Sequence, residues 1–359
     1  MKQPALMNRH TGIDVLRIAS MLSITAIHYI NYSGLLEVNN ILFANKILFT
    51  LLYNFAIASI NLFPLISGYL LALKPFSVKR VVRLWFDVIF TSLLFLLIGI
   101  CLWGVPSIAT VIKSILPVSA FGYWYINTHI ILLFVTPFLN MIIKKLDSHQ
   151  HFLLCCVCTL GISVFLVTNP FAHADIVGGH GHGIVWFSLM FMWGAWFSRE
   201  KTGFPKYGTV FLLSISLISI TILRLIKDNF SVLDKCSVFE MNSPFMITIS
   251  IATFQLLKGI KLKNDKLIRC LRILAESSLF VYLIQEHNAI RSGFWSLFQI
   301  TRLAGSYHIW IEFALALICL WPLAVMMKKI TSRIWLFFDE WFSKVLCRFD
   351  DKIRNSGVI

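Results

Sequence analysis

The sequence predicts an all-α fold, a polytopic membrane bundle of about ten transmembrane helices with both termini in the cytoplasm. Of its 359 residues, 58% are hydrophobic and only 14% are charged, and the mean hydropathy is +0.78. A soluble domain has no use for so much apolar surface, whereas a lipid bilayer requires it. The net charge of +15 would suit a nucleic-acid partner, but the positive residues lie in alternate loops, so no such partner is expected.

Apolar segments long enough to cross a bilayer as helices, about 20 residues each, recur along the whole chain. The first lacks a small-residue cleavage site and is typical of an uncleaved membrane anchor. We expect ten spans, each within a few residues, at 14–33, 50–73, 84–103, 123–143, 152–168, 184–198, 209–226, 242–258, 274–291 and 309–327.

The basic residues give the orientation of these spans. Of the 32 Lys and Arg residues, 24 fall in the loops of one side, 7 fall on the other, and Arg17 lies inside the first span. Because cytoplasmic loops of membrane proteins carry the excess of Lys and Arg, the richer side is predicted to face the cytoplasm.

The C-terminal segment differs in character from the spans. Residues 1–328 are predicted to form one transmembrane domain, and residues 329–359 a cytoplasmic tail that alternates apolar and charged residues at helical spacing. Such a helix is too charged to span and is expected to lie along the inner membrane surface, a partner-binding helix being the alternative. Its apolar face consists of Ile334, Phe338, Trp341, Val345 and Phe349.

Arg17 and His28 form an unusual ionisable pair within the first span. A charged side chain deep in a bilayer costs roughly 2.5–3.5 kcal/mol on insertion scales, so its presence calls for a purpose. Their 11-residue separation places both on one helix face, with a rise of about 16 Å between them. A histidine can take up and return a proton near neutral pH, as acyl transfer to a hydroxyl requires. The alternatives are a snorkelling anchor for Arg17 and a packing role for His28.

Two further groups of polar residues are candidates for chemistry. Arg80 and Arg83 lie where the third span enters the membrane, and paired guanidinium groups bind phosphates in a bidentate manner. In the ninth span, Glu286 can approach Arg291 across about one turn, and either Glu286 or His287 could orient His28 from a facing helix.

Histidines on the other side of the membrane are weaker candidates. His129 is expected to line the same cavity as His28. We interpret the glycine-rich loop that contains His173, His180 and His182 as part of an acceptor site rather than a metal site, so no metal is expected.

These motifs, in this order, resemble those of the membrane acyltransferase-3 family, bacterial proteins that O-acylate cell-surface polysaccharides. The resemblance extends from the first span to the ninth. It rests on Asp14, Arg17 and His28; on Phe63, Ser67, Gly68 and Tyr69; on Arg80 and Arg83; on Trp124, Tyr125 and Pro137; and on Gly183, Phe187 and Gly194. One departure is that the family commonly shows Tyr-Leu-x-His where this chain has Tyr282, Leu283, Ile284 and Gln285. His287 lies two residues later, which rotates a helical side chain by about 200°.

The resemblance implies an O-acetyltransferase of the bacterial inner membrane. Acetyl-CoA would be the donor, and a polysaccharide or its lipid-linked glycan precursor the acceptor. The roles implied are catalysis for His28 and Glu286, donor binding for Arg17, Arg80 and Arg83, and acceptor binding for Trp124, His129, His287 and Arg291. The main rival is a carrier or flippase in which Arg17, His28 and Glu286 form a relay through the bundle.

Overall fold

The structure is a computed structural model that describes residues 11–355 except 121, 166, 168–178, 201–202, 231–232, 234–235 and 299, with side chains as far as residue 339. Every regular element in this part of the chain is a helix, so the all-α prediction is confirmed. The helices are α1 (Thr11–Ser33), α2 (Phe43–Ile60), α3 (Leu62–Leu71), α4 (Val78–Trp103), α5 (Ile108–Ile115), α6 (Trp124–Lys145), α7 (Ser148–Thr159), α8 (Ile184–Arg199), α9 (Lys206–Ile226), α10 (Pro244–Lys258), α11 (Asp265–Gln285), α12 (Arg291–Trp295), α13 (Ile300–Leu303), α14 (Ile309–Ile318) and α15 (Trp321–Asn355).

Seven helical segments among the described residues are long and apolar enough to cross a membrane. They are Thr11–Ser33, Phe43–Leu71, Val78–Trp103, Trp124–Lys145, Ser148–Phe165, Lys206–Asn229 and Ile309–Asp339. The other three predicted spans correspond to α8 and α10, which have only 16 and 15 residues, and to α11, whose first half is charged. The chain is thus a multi-pass membrane protein, and the number ten remains a prediction.

The loops predicted to share one side of the membrane contact one another. Gly12, near the start of α1, packs closely on the end of α10. A Cβ atom added to it would lie 2.3 Å from the Leu257 carbonyl oxygen. At the same end, Arg199 donates from α8 to the carbonyl of Leu146 at 2.9 Å. We call this the basic end of the bundle. The orientation of the termini relative to the cell remains a prediction.

The second predicted span is broken at Asn61, between α2 and α3. The Asn61 side chain donates to the Met241 carbonyl at 2.9 Å and accepts from Trp186 Nε1 at 2.9 Å. These bonds satisfy a polar side chain that is only 1% exposed, and a buried amide without partners would be costly. The bend brings Phe63 and Ser67 of α3 onto a cavity wall.

Two glycines allow α3 and α8 to pack backbone against backbone. A Cβ atom at Gly68 would lie 1.9 Å from the Phe191 carbonyl oxygen, and one at Gly194 would lie 2.0 Å from the Leu65 carbonyl oxygen. No side chain fits at either distance, so the close approach depends on both residues. This reciprocal contact fixes the position of α3 and hence of the cavity wall that it forms.

The last helix, α15, runs without a break from the membrane segment to Asn355, so the predicted tail is helical but is not a separate element. Its described part packs against the start of α4, where Lys79 Nζ lies 2.6 Å from Asp339 Oδ1 and the rings of Phe86 and Trp335 are 5.4 Å apart. The side chains of Trp341, Val345 and Phe349 lie outside the described residues, and the membrane-surface location of the tail remains a prediction.

Candidate active site

A cavity of about 380 Å³ lies between α1, α3, α4, α6, α11 and α15. Arg17 and His28 both line it, as their 11-residue spacing predicts. Arg17 lies toward the basic end, and His28 lies about three turns further along α1. Most of the remaining wall is apolar or aromatic, including Phe63, Trp124 and Tyr282. One cavity therefore connects a cation near the basic end with an imidazole deeper in the bundle.

The imidazole of His28 faces a carboxylate. Its Nε2 atom lies 3.4 Å from Oε1 of Glu286, and the two side chains are only 15% and 12% exposed. A carboxylate at this nitrogen favours the tautomer that carries its proton on Nε2. The other nitrogen, Nδ1, is buried and has no hydrogen-bond partner among the described residues. His28 therefore has one nitrogen oriented by Glu286 and one that can accept a proton.

Glu286 also joins two other side chains to the site. Its Oε1 atom accepts a hydrogen bond from the Tyr32 hydroxyl at 2.5 Å, and its Oε2 atom lies 3.5 Å from Nη1 of Arg291. The Arg291 guanidinium lies over the Tyr32 ring, 5.1 Å from its centroid. Because a buried carboxylate is tolerated only when it is paired and hydrogen-bonded, these partners stabilise Glu286 and hold it in place.

The arginine pair of the third span lies away from the cavity. Arg83 forms a two-point ion pair with Asp87 (Nε to Oδ2 3.2 Å, Nη2 to Oδ1 3.0 Å), and its guanidinium lies 5.0 Å from the Trp335 ring centroid. Arg80 is exposed, and neither arginine lines the cavity. The second cation on the wall is instead Lys328 of α15. The positions of Arg80 and Arg83 thus do not support the predicted phosphate-binding role. The Arg83 guanidinium already pairs with Asp87 and packs on Trp335 of the last helix.

A comparison with protein families identifies the family of this chain. The model of a family described as an acyltransferase domain matches residues 10–336, nearly the whole chain. The chain belongs to the acyltransferase-3 family. Neither a search of curated proteins nor a search of solved structures gave a match.

In this acyltransferase, Gln285 occupies the place where the family commonly has histidine. Its side chain is fully buried beside the His28 imidazole, although no hydrogen bond between the two is complete. Its Nε2 atom instead approaches the Met21 sulfur at 3.9 Å. The departure from the family pattern therefore places a neutral amide, rather than a second imidazole, against the candidate base.

His287 does not replace that histidine. In the acyltransferase its Nε2 atom lies 2.9 Å from the Ser92 carbonyl oxygen, and its Nδ1 atom accepts from the Ala289 amide at 3.2 Å. The side chain is 1% exposed and faces α4 rather than the cavity, because α11 has ended and the chain has turned. The prediction that His287 binds substrate therefore lacks support, and its contacts are those of a structural histidine.

Trp124 and His129 do line the cavity of the acyltransferase. The His129 ring stacks on Tyr125 with a centroid distance of 6.1 Å and lies within electrostatic reach of Arg17. Trp124 packs against His182 at 4.4 Å, which brings the predicted acceptor loop to the site. His173 of that loop lies outside the described residues. No group of three metal-ligating side chains occurs in the part of the chain that the structure describes.

Several residues of the site could not be recognised from the sequence. In the sequence, Lys328 is one of several basic residues near the last span, and Tyr32 lies at the end of the first apolar span. Their roles depend on contacts between distant parts of the chain, since 254 residues separate Tyr32 from Glu286. Tyr282 was indicated only by the Tyr-Leu motif of the ninth span, which is part of the family resemblance.

Proposed function

We propose that this membrane acyltransferase moves an acetyl group from acetyl-CoA to a hydroxyl of a cell-surface polysaccharide or its lipid-linked precursor, with His28 as general base. The observation that carries the proposal is that Arg17 and His28 line one cavity while Glu286 contacts the imidazole at 3.4 Å. Acyl transfer from a carrier needs a cation for the carrier and a base for the acceptor, about one carrier-arm length apart.

The donor would enter from the basic end, which the proposal places in the cytoplasm. Coenzyme A carries phosphates and cannot cross a bilayer unaided, so its charged part must remain near the cavity mouth. Arg17 and Lys328 are the cations of the cavity wall and suit that role. The rise of about 16 Å from Arg17 to His28 is comparable to the reach of an extended pantetheine arm.

In the transfer step, Nδ1 of His28 removes the proton of the acceptor hydroxyl as its oxygen attacks the thioester carbonyl carbon. A C–O bond forms, and the carbonyl π electrons move to oxygen. The tetrahedral intermediate then collapses: the carbonyl reforms, the C–S bond breaks, and the thiolate receives the proton from the imidazolium. Glu286 holds the imidazole and stabilises its charged form during the cycle.

The acceptor would approach from the end opposite to the basic one. Trp124 lines the cavity there, with His129 about one turn further along α6 toward Arg17, and aromatic rings that pack on the apolar faces of sugars are typical of carbohydrate sites. This direction of approach suits a glycan on the outer leaflet of a bacterial inner membrane. Arg291, through Glu286, lies at the same end and would contribute polar contacts.

The test uses the purified protein in lipid nanodiscs with acetyl-CoA labelled in the acetyl group and polysaccharide from the same source. We expect label to enter the polymer with the wild type and to fall by at least about 10²-fold in His28→Gln. The matched control is His149→Gln, since His149 is exposed on α7. Full transfer by His28→Gln would exclude the proposed base. Label that crosses sealed vesicles without forming an ester would favour the carrier.

A further inference from the structure

Two tyrosines that line the cavity have hydroxyls without a hydrogen-bond partner among the described residues. Tyr125 and Tyr282 both line the cavity and are 9% and 6% exposed. Among the described residues, neither hydroxyl oxygen has a partner. Tyr282 Oη lies close to the main chain of Tyr125 but completes no hydrogen bond with it.

Three nearby tyrosines have hydroxyls that donate hydrogen bonds to protein atoms. The hydroxyl of Tyr29 donates to Glu312 at 3.1 Å, that of Tyr32 to Glu286 at 2.5 Å, and that of Tyr123 to the Leu283 carbonyl at 3.1 Å. A buried hydroxyl left unpaired destabilises the fold, because it gives up its hydrogen bonds to water. These three tyrosine hydroxyls thus have a protein partner, whereas the hydroxyls of the two tyrosines that line the cavity have none among the described residues, as expected if a bound molecule supplies it.

The two hydroxyl-bearing rings form one corner of the cavity. Their centroids are 6.2 Å apart in an edge-to-face arrangement. Tyr282 lies three residues before Gln285, which is beside His28, so it is displaced by about 4.5 Å toward the basic end. The corner thus lies between Arg17 and His28, on the route that a thioester would take from the basic end to the imidazole.

We propose that Tyr282 Oη, assisted by Tyr125 Oη, donates the hydrogen bond that stabilises the oxyanion formed from the thioester carbonyl. The proposal rests on the acyl transfer proposed above and adds the group that receives the developing negative charge. When the acceptor oxygen bonds to the carbonyl carbon, the carbonyl oxygen becomes negative and the tyrosine O–H donates to it without losing its proton. As the C–S bond breaks, the carbonyl reforms and this hydrogen bond weakens.

Preorganised donors in a water-poor site stabilise a transition state more than a ground state, so their loss lowers kcat rather than donor affinity. Removal of one oxyanion donor typically costs about 10²–10³ in kcat. We expect this loss for Tyr282→Phe, a smaller one for Tyr125→Phe, and in both a donor KM that rises much less than kcat falls, by no more than about tenfold.

The matched control is Tyr123→Phe, because it removes a buried hydroxyl from the same region that bonds to the Leu283 carbonyl and does not line the cavity. This variant is expected to lower the melting temperature with little loss of kcat. A wild type that transfers no acetyl group overturns the proposed function itself. A wild type that transfers normally, together with a folded Tyr282→Phe that keeps kcat within about twofold, overturns only the oxyanion role.

Binding to the wild type gives a second measurement that needs no variant. A coenzyme A ketone analogue, in which CH₂ replaces the thioester sulfur, keeps the carbonyl oxygen, whereas an S-alkyl thioether lacks it. We expect the ketone analogue to bind at least about fivefold more tightly, because a single hydrogen bond to the carbonyl contributes about 1 kcal/mol. Equal affinities would contradict the proposed donors even if Tyr282→Phe does not fold.

Discussion

Nε2 of His28 lies 3.4 Å from Oε1 of Glu286, which joins the first helix of the acyltransferase to the residue that ends α11. His28 carries the only imidazole of α1, and Glu286 is held in place by Tyr32 and Arg291. The contact gives the imidazole an orientation and a partner for its charged form, and the proposed reaction uses both.

Glu286→Gln should abolish most of the acyl transfer. The amide can donate to Nε2, which would place the imidazole proton on Nδ1 and block the nitrogen that acts as base. We expect kcat to fall by about 10²–10⁴, measured by transfer of labelled acetyl groups, with little change in melting temperature. Glu312→Gln is the control, since Glu312 bonds to Tyr29 outside the cavity. Equal activities of the two variants would exclude the orienting role.

Arg17→Gln and Lys328→Gln should each weaken donor binding. Hydrogen bonds to charged groups contribute about 1.5–3 kcal/mol, so we expect the KM for acetyl-CoA to rise roughly tenfold or more in each variant. The effect should shrink at high salt, where charges are screened. Arg83→Gln is the comparison, because Arg83 does not line the cavity, and its KM should be unchanged. A KM that rises only in Arg83→Gln would restore the phosphate site predicted from the sequence.

The ion pair of Arg83 and Asp87 should contribute to the stability of the fold rather than to donor binding. Asp87 is 4% exposed, and breaking a buried pair by removing one partner costs about 3–5 kcal/mol. We expect Arg83→Gln to lower the melting temperature in detergent, and the double variant Arg83→Met, Asp87→Leu to recover much of the loss. Arg272→Gln breaks a pair with Glu276 in which both side chains are about 40% exposed, and it should cost less than about 1 kcal/mol. Similar losses in both pairs would contradict this account.

Gly68→Ala should destabilise the contact between α3 and α8. The added methyl would meet the Phe191 carbonyl oxygen at 1.9 Å, so the helices must separate, at a cost of about 1–3 kcal/mol. Gly208→Ala in α9 is the control, because nothing lies within 4 Å of its added Cβ, and alanine is the better helix former. Thermal unfolding should therefore show a lower melting temperature for Gly68→Ala only. Unchanged stability of Gly68→Ala would show that the two helices can separate at little cost.

The sequence predicted those features that depend only on residues close together in the chain. Apolar runs gave the helices, and the 11-residue spacing of Arg17 and His28 placed both on one face, because helical geometry depends only on neighbouring residues. The sequence also indicated that either Glu286 or His287 could orient His28 from a facing helix, and only the structure selects Glu286. The same reasoning assigned Arg83 to a phosphate, because the sequence does not reveal that Trp335 of the last helix packs against its guanidinium.

The sequence by itself determined that this chain is a helical multi-pass membrane protein and that an arginine and a histidine share a face of its first helix. Only the tertiary structure decided which side chains meet them. Lys328, Tyr282 and Gln285 reach the cavity through packing between helices hundreds of residues apart, and His287 is turned away from it because α11 ends at Gln285. The physical reason is that periodicity fixes directions within one helix, whereas the rotation of each helix about its axis depends on the close packing of all its neighbours.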